Sequence, residues 1–183
     1  MAAGVRFAAA SASDVEGPAA PPLTQAQQLT LRGLNTQYPF SRLIMLGAKT
    51  IEARTYALGH RSIAHAGEEM FLIETPGSKS ASPAVVGDLS IGAPPDHAQV
   101  IGTVSFNSSS EYTCLSAWRN DRRKHRIQEG SQYDWNGTGK MHAWCIGHVQ
   151  GFSQPVAAGS KSQVGYSTPR TLEVTGLLAD GSS

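Results

Sequence analysis

Short runs of β-branched and aromatic residues, joined by connections of uneven length, constrain this chain more than any other feature. "EEMFLIET" (68–75), "AQVIGTVSF" (98–106) and "MHAWCIGHVQGF" (141–152) read as strands, and so do "LTLRGLNTQ" (29–37), "KTIEART" (49–55) and "RTLEV" (170–174). Helical patterning is confined to two places. In "YPFSRLIMLG", Pro39 suits a first turn, Leu43, Ile44 and Leu46 can form one buried stripe, and Gly47 fits the residue after a helix end. In "CLSAWRNDRRKHRIQ" (114–128), Leu115, Trp118 and Ile127 serve as inward anchors. Residues 76–96 read as a long loop with one brief apolar turn at most. Strands without regularly interposed helices argue against a doubly wound sheet. They predict an α+β fold: a small, partly closed β-barrel of about five to six strands with two or three helices.

The chain's 183 residues suffice for one domain and a tail. We place the tail at 1–23 and the domain at 24–180. The Ala/Ser-rich opening resembles an organelle transit peptide in composition, but one arginine, Arg6, precedes its first acid, Asp14. A tail too polar to order itself is the expectation, with a cytoplasmic or nuclear setting. Cys114 and Cys145 stand far apart without metal-ligand spacing, so neither a disulfide framework nor a metal is expected. No cofactor and no membrane span are implied. The triplets at Asn107 and Asn136 match a glycosylation acceptor with no secretory signal before them, and are read as coincidence.

Charge is scarce, at 16% of residues with a formal net charge of +1, so local clusters carry the functional information. One cluster is "GAKTIEART" (47–55). In a strand, Thr50, Glu52 and Arg54 share a face while Ile51 and Ala53 point to the core. Glu52 and Arg54 stand close enough for a rigid carboxylate–guanidinium pair, suited to the polar edge of a base or to a phosphate. An exposed ion pair of little consequence is the alternative.

The run "PFSRLIMLGAKTIEAR" resembles the signature of the ASCH domain, of the PUA-like superfamily, in which a Pro-aromatic pair and a short helix precede G-x-K-T-x-E-x-R. "VIGTVSF" and "MHAWCIGHVQGFSQP" resemble its later strands, and the likeness spans roughly residues 28–155. The resemblance implies a PUA-like β-barrel whose cleft, beside the first helix, binds RNA or nucleotides. It implies nucleotide contacts from Pro39, Phe40, Ser41, Lys49, Thr50, Glu52 and Arg54.

The second cluster, Arg119, Arg122, Arg123, Lys124 and Arg126, lies in the predicted helix, and we expect Arg122 and Arg123 to meet phosphates. Of the aromatics, Trp144 is expected inside a strand core. Trp135, flanked by Asp134 and Asn136 in a loop, is the candidate stacking platform. Some ASCH proteins resemble amidohydrolases of N4-acetylcytidine, with a pattern of Lys, a Thr three residues later, and a Glu from a later helix. Lys49 and Glu129 match its ends, but Glu52 stands where the Thr is expected. Lys49, Glu52 and Glu129 are thus the catalytic candidates of that alternative, and a metal-independent ribonuclease is another. The leading expectation is a module binding RNA or a modified nucleoside or nucleotide. A protein partner in a transcription or translation assembly is the non-binding alternative.

Overall fold

Alternation along one central strand organises the interior. In the computed structural model, which describes residues 26–60, 64–77, 83–158 and 168–175, β3 spans Met70–Thr75 and its first five residues are buried. Met70 and Leu72 join one apolar cluster with Leu34, Ile101, Val104, Phe106 and Trp144. Phe71 and Ile73 join another with Val100, Phe152 and Val174. The period of two therefore feeds both faces of the sheet, and every position of this strand is apolar until Glu74.

The other strands are β1 (Ala26–Gln37), β2 (Ile51–Arg54), β4 (Gln99–Glu111), β5 (His142–Ala157) and β6 (Arg170–Thr175). Their order across one six-stranded mixed sheet is β2-β5-β4-β3-β1-β6. β1 is shared along its length: Ala26–Leu31 pair antiparallel with β6, and Arg32–Gln37 pair parallel with β3. β4 and β5 form a long antiparallel pair whose register shifts three times, and such bulges bend and twist a ladder. Gly102 sits at one shift, where a Cβ would lie 2.2 Å from the Gln150 carbonyl oxygen, so only glycine lets the strands approach.

All six expected strands are present. The barrel is less closed than expected, because no backbone ladder joins the edge strands β2 and β6 among the described residues. The far half of β5 does bend toward β6, where the Ser153 hydroxyl donates to the Thr175 carbonyl at 2.7 Å. The tail expected at 1–23 lies outside the described residues.

Among the described residues four short helices occur, where two or three were expected: α1 (Phe40–Met45), α2 (Pro83–Val86), α3 (Leu115–Asn120) and α4 (Arg122–His125). α2 is the one apolar turn anticipated in the long loop. In α1, Leu43 and Ile44 are buried as expected, but Leu46 is 53% exposed. The helix ends before it, and Gly47, at φ +67, turns the chain away. The single helix expected over 114–128 is broken. The Asp121 amide bonds to both the Ala117 and Trp118 carbonyls, tightening the end of α3, and Arg126, at φ 62, ends α4. Bonds to another segment outweigh further helix. The Arg126 Nε donates to the Ala48 carbonyl at 2.8 Å, and the Thr50 amide donates to the Lys124 carbonyl at 3.0 Å.

No helix among the described residues is long and apolar enough to cross a membrane.

Candidate nucleobase pocket

Those bonds fix residues 48–50 alongside the end of α4, and β2 follows directly. Its core side is set by Ile51, buried with Tyr112, Trp118, Ile127 and Trp135 in a third apolar cluster. β2 pairs with β5 through Glu52↔Trp144 and Arg54↔His142. Between β2, the end of β1 and the segment 127–141 lies a cavity of about 620 Å³. That size falls in the range of about 300–1,000 Å³ usual for small-molecule sites. Phe40, Ala53, Ile127, Trp135 and Met141 supply its apolar lining.

Lys49 is 2% exposed, an unusual place for an ammonium group. Its Nζ donates to the Ile51 and His125 carbonyls, each at 2.7 Å, and lies 3.4 Å from Glu52 Oε2. It also sits 5.3 Å from the centre of the Phe40 ring. Burial holds the Lys49 pKa below its ordinary value, and the Glu52 carboxylate works against that. On the other side, Glu52 Oε1 accepts from Arg54 at 2.9 Å, and the same guanidinium donates to the Asn35 carbonyl at 2.7 Å. Lys49, Glu52 and Arg54 therefore form one connected ionic chain along the cavity wall, partly shielded from solvent.

Three buried polar atoms of lining residues lack any partner: Asn35 Oδ1, Thr36 Oγ1 and Arg54 Nε. Such atoms are costly to leave unpaired. Asn35 and Thr36 were not singled out in the sequence. β1 looks like any half-buried strand there, and only its register with β3 and its bond to Arg54 bring it to β2.

The remaining candidates divide. Phe40 lines the cavity, whereas Pro39, Ser41 and Thr50 do not. Ser41 is buried and donates to Glu74 at 2.8 Å. Trp135 is a wall rather than an open platform: it is 7% exposed, and its indole N–H donates to the Thr138 and Gly139 carbonyls. Tyr133 is the accessible aromatic at the cavity, 41% exposed and edge-on to Phe40 with ring centres 5.9 Å apart. Its hydroxyl donates to the Gln37 side chain. Trp144 is fully buried, as expected.

Glu129, Arg122 and Arg123 do not line the cavity. Glu129 is exposed and accepts from Arg122 while lying 3.5 Å from Arg119, and Lys124 pairs with Asp121 at 2.8 Å. Two acids thus pair with three of the cluster's five cations, Arg119, Arg122 and Lys124. Among the described residues no group of His, Cys, Asp and Glu is arranged to hold a metal ion, and Cys114 and Cys145 are free thiols.

His125 supports the site from below. Its ring stacks on Trp118 at 3.9 Å, Nδ1 accepts from the Ile127 amide, and Nε2 donates to the Trp118 carbonyl. The neutral imidazole fills both roles, and burial lowers its pKa to about 4 from the ordinary 6.5. The unfolded chain therefore binds the proton first. Stability present above pH 6.5 is lost as pH falls toward 4, by on the order of 3 kcal/mol. Urea unfolding at several pH values should show this decline in the wild-type protein. His125→Gln should start less stable and decline less; parallel declines would exclude His125 as the cause.

The fold and site together define an α+β mixed-sheet domain with a half-apolar pocket walled by an internal ionic chain. No family model matches the chain, and no curated protein does. Among solved structures it is similar to ASCH from Zymomonas mobilis, with 16% identity, 72% of this chain and 74% of that chain covered, and a TM-score of 0.44. It is similar to two single-substitution variants of that protein at the same identity and TM-score. They cover 72% and 69% of this chain, and 76% and 72% of their own. These are ASCH structures, the family that the Pro39–Arg54 run resembles. A likeness at this level leaves the site to be argued from its own residues.

Proposed function

We propose that this protein binds RNA or a nucleotide by taking one nucleobase into the cavity beside β2. The observation that carries the reading is the set of unpartnered buried atoms on residues that line the cavity, Asn35 Oδ1, Thr36 Oγ1 and Arg54 Nε, with Arg54 paired to the Glu52 carboxylate. A base edge presents donors and acceptors side by side, which such a set can satisfy. Its flat faces suit a cavity with Phe40 and Tyr133 in its lining.

Isothermal titration of the intact chain with ribonucleotides and short single-stranded RNA tests this. Binding is expected for at least one base, and Arg54→Ala should weaken it about tenfold by removing a charge-assisted donor. If nothing in that set binds, the reading falls, and the protein-interaction alternative takes its place. The hydrolytic alternative requires Lys49 and Glu129 to act on one substrate. Glu129 pairs with Arg119 and Arg122 and is not among the residues that line the cavity, which favours the binding reading. Incubation with N4-acetylcytidine is accordingly expected to release no acetate.

A further inference from the structure

The charged side chains that line the cavity are Lys49 and Arg54 against Glu52 and Asp134, and they balance. Lys49 is already committed, and Arg54 is committed at one of its nitrogens. Lys49 has two carbonyls and Glu52 around its three protons, and Arg54 spends one terminal nitrogen, Nη2, on both Glu52 and the Asn35 carbonyl. Phosphate recognition by arginine relies on a free two-point fork, which Arg54 does not offer. A phosphate brought into the cavity would also stand near the carboxylate of Glu52 and add uncompensated charge to a partly dry site. Outside the cavity, three of the basic cluster's five cations are paired with Glu129 and Asp121, and none of the five lines the cavity.

We infer that the cavity recognises its ligand through an uncharged heterocycle and leaves any phosphate in solvent, so that the recognised moiety is the nucleoside. The inference rests on the base-binding reading. It narrows that reading to a ligand class whose affinity comes from base edge and ring contacts.

The test compares the intact protein's affinity for adenosine, cytidine, guanosine and uridine with that for their 5′-monophosphates, at about 50 and about 500 mM salt. For whichever base binds, nucleoside and monophosphate should agree within about threefold, and salt should shift either by less than about twofold, since few counterions are released. A monophosphate bound tenfold or more tightly, with the advantage fading at high salt, overturns the inference and leaves base binding intact. If neither nucleosides nor monophosphates bind, the base-binding reading itself fails and this inference goes with it.

Discussion

Replacing Glu74 with alanine should cost about 3–5 kcal/mol of folding stability, one of the two largest effects expected of any single change here. The carboxylate is fully buried at the end of β3, in a strand otherwise given over to core side chains. It accepts from Ser41 at 2.8 Å, from Arg42 Nε at 2.7 Å and a terminal Arg42 nitrogen at 2.9 Å, and from Gln99 at 2.9 Å. Removing it strands the buried Ser41 hydroxyl and unpairs a guanidinium held partly out of water. Arg42 keeps some access to solvent, so Arg42→Ala should be milder than the loss of its buried partner. Because these bonds tie α1 to β3, Glu74→Ala should also loosen Phe40 and weaken ligand binding at temperatures where the variant is still folded. Urea midpoints for Glu74→Ala and Arg42→Ala decide the matter. Equal small losses would mean that packing, not the carboxylate, holds α1.

Lys49→Met should be the second large effect, about 2–4 kcal/mol, together with loss of most ligand affinity. Methionine approximates the stem of lysine, so the change isolates the ammonium group. Without it, the Ile51 and His125 carbonyls lose a donor and Glu52 keeps Arg54 alone. The pH dependence carries a signature of its own. With its folded pKa lowered beneath the unfolded 10.5, Lys49 binds protons more readily in the unfolded chain. The cost of burying its charge is present in full below the folded value and is relieved as pH rises toward 10.5. The wild-type protein should therefore gain stability over Lys49→Gln or Lys49→Met less steeply in neutral than in alkaline solution. An advantage constant across pH would show that Lys49 is not desolvated.

What could be read from the sequence was what neighbours along the chain decide. β-branched runs located all six strands, and the period of two placed Ile51 in the core and Glu52 beside Arg54. Lys49 precedes β2 and has no strand period to place it. Its burial follows from the carbonyl of His125, which no local pattern connects to it. Asn35 and Thr36 escaped notice for the same reason, since parallel pairing with β3 and the bond to Arg54 are long-range events. Glu129 and the basic cluster illustrate the converse. Their charge pattern was legible, but that Arg119 and Arg122 meet Glu129, and Lys124 meets Asp121, depends on the break at Asp121 and the turn at Arg126. Trp135 lines the cavity as a buried wall, which polar neighbours in a loop do not reveal, since its indole is tucked against Tyr112 and Trp118.

The parallel pairing of β1 with β3 means that everything between them, α1 and β2 included, is a connection spanned by the sheet it serves. β2 itself has one ladder neighbour, β5, which begins only at His142. An isolated peptide carrying the Pro39–Arg54 run should therefore be a random coil with no affinity for anything. Epitope-style mapping with overlapping fragments would report silence from the very segment that matters, and a nascent chain can acquire its pocket only after most of its length has left the ribosome.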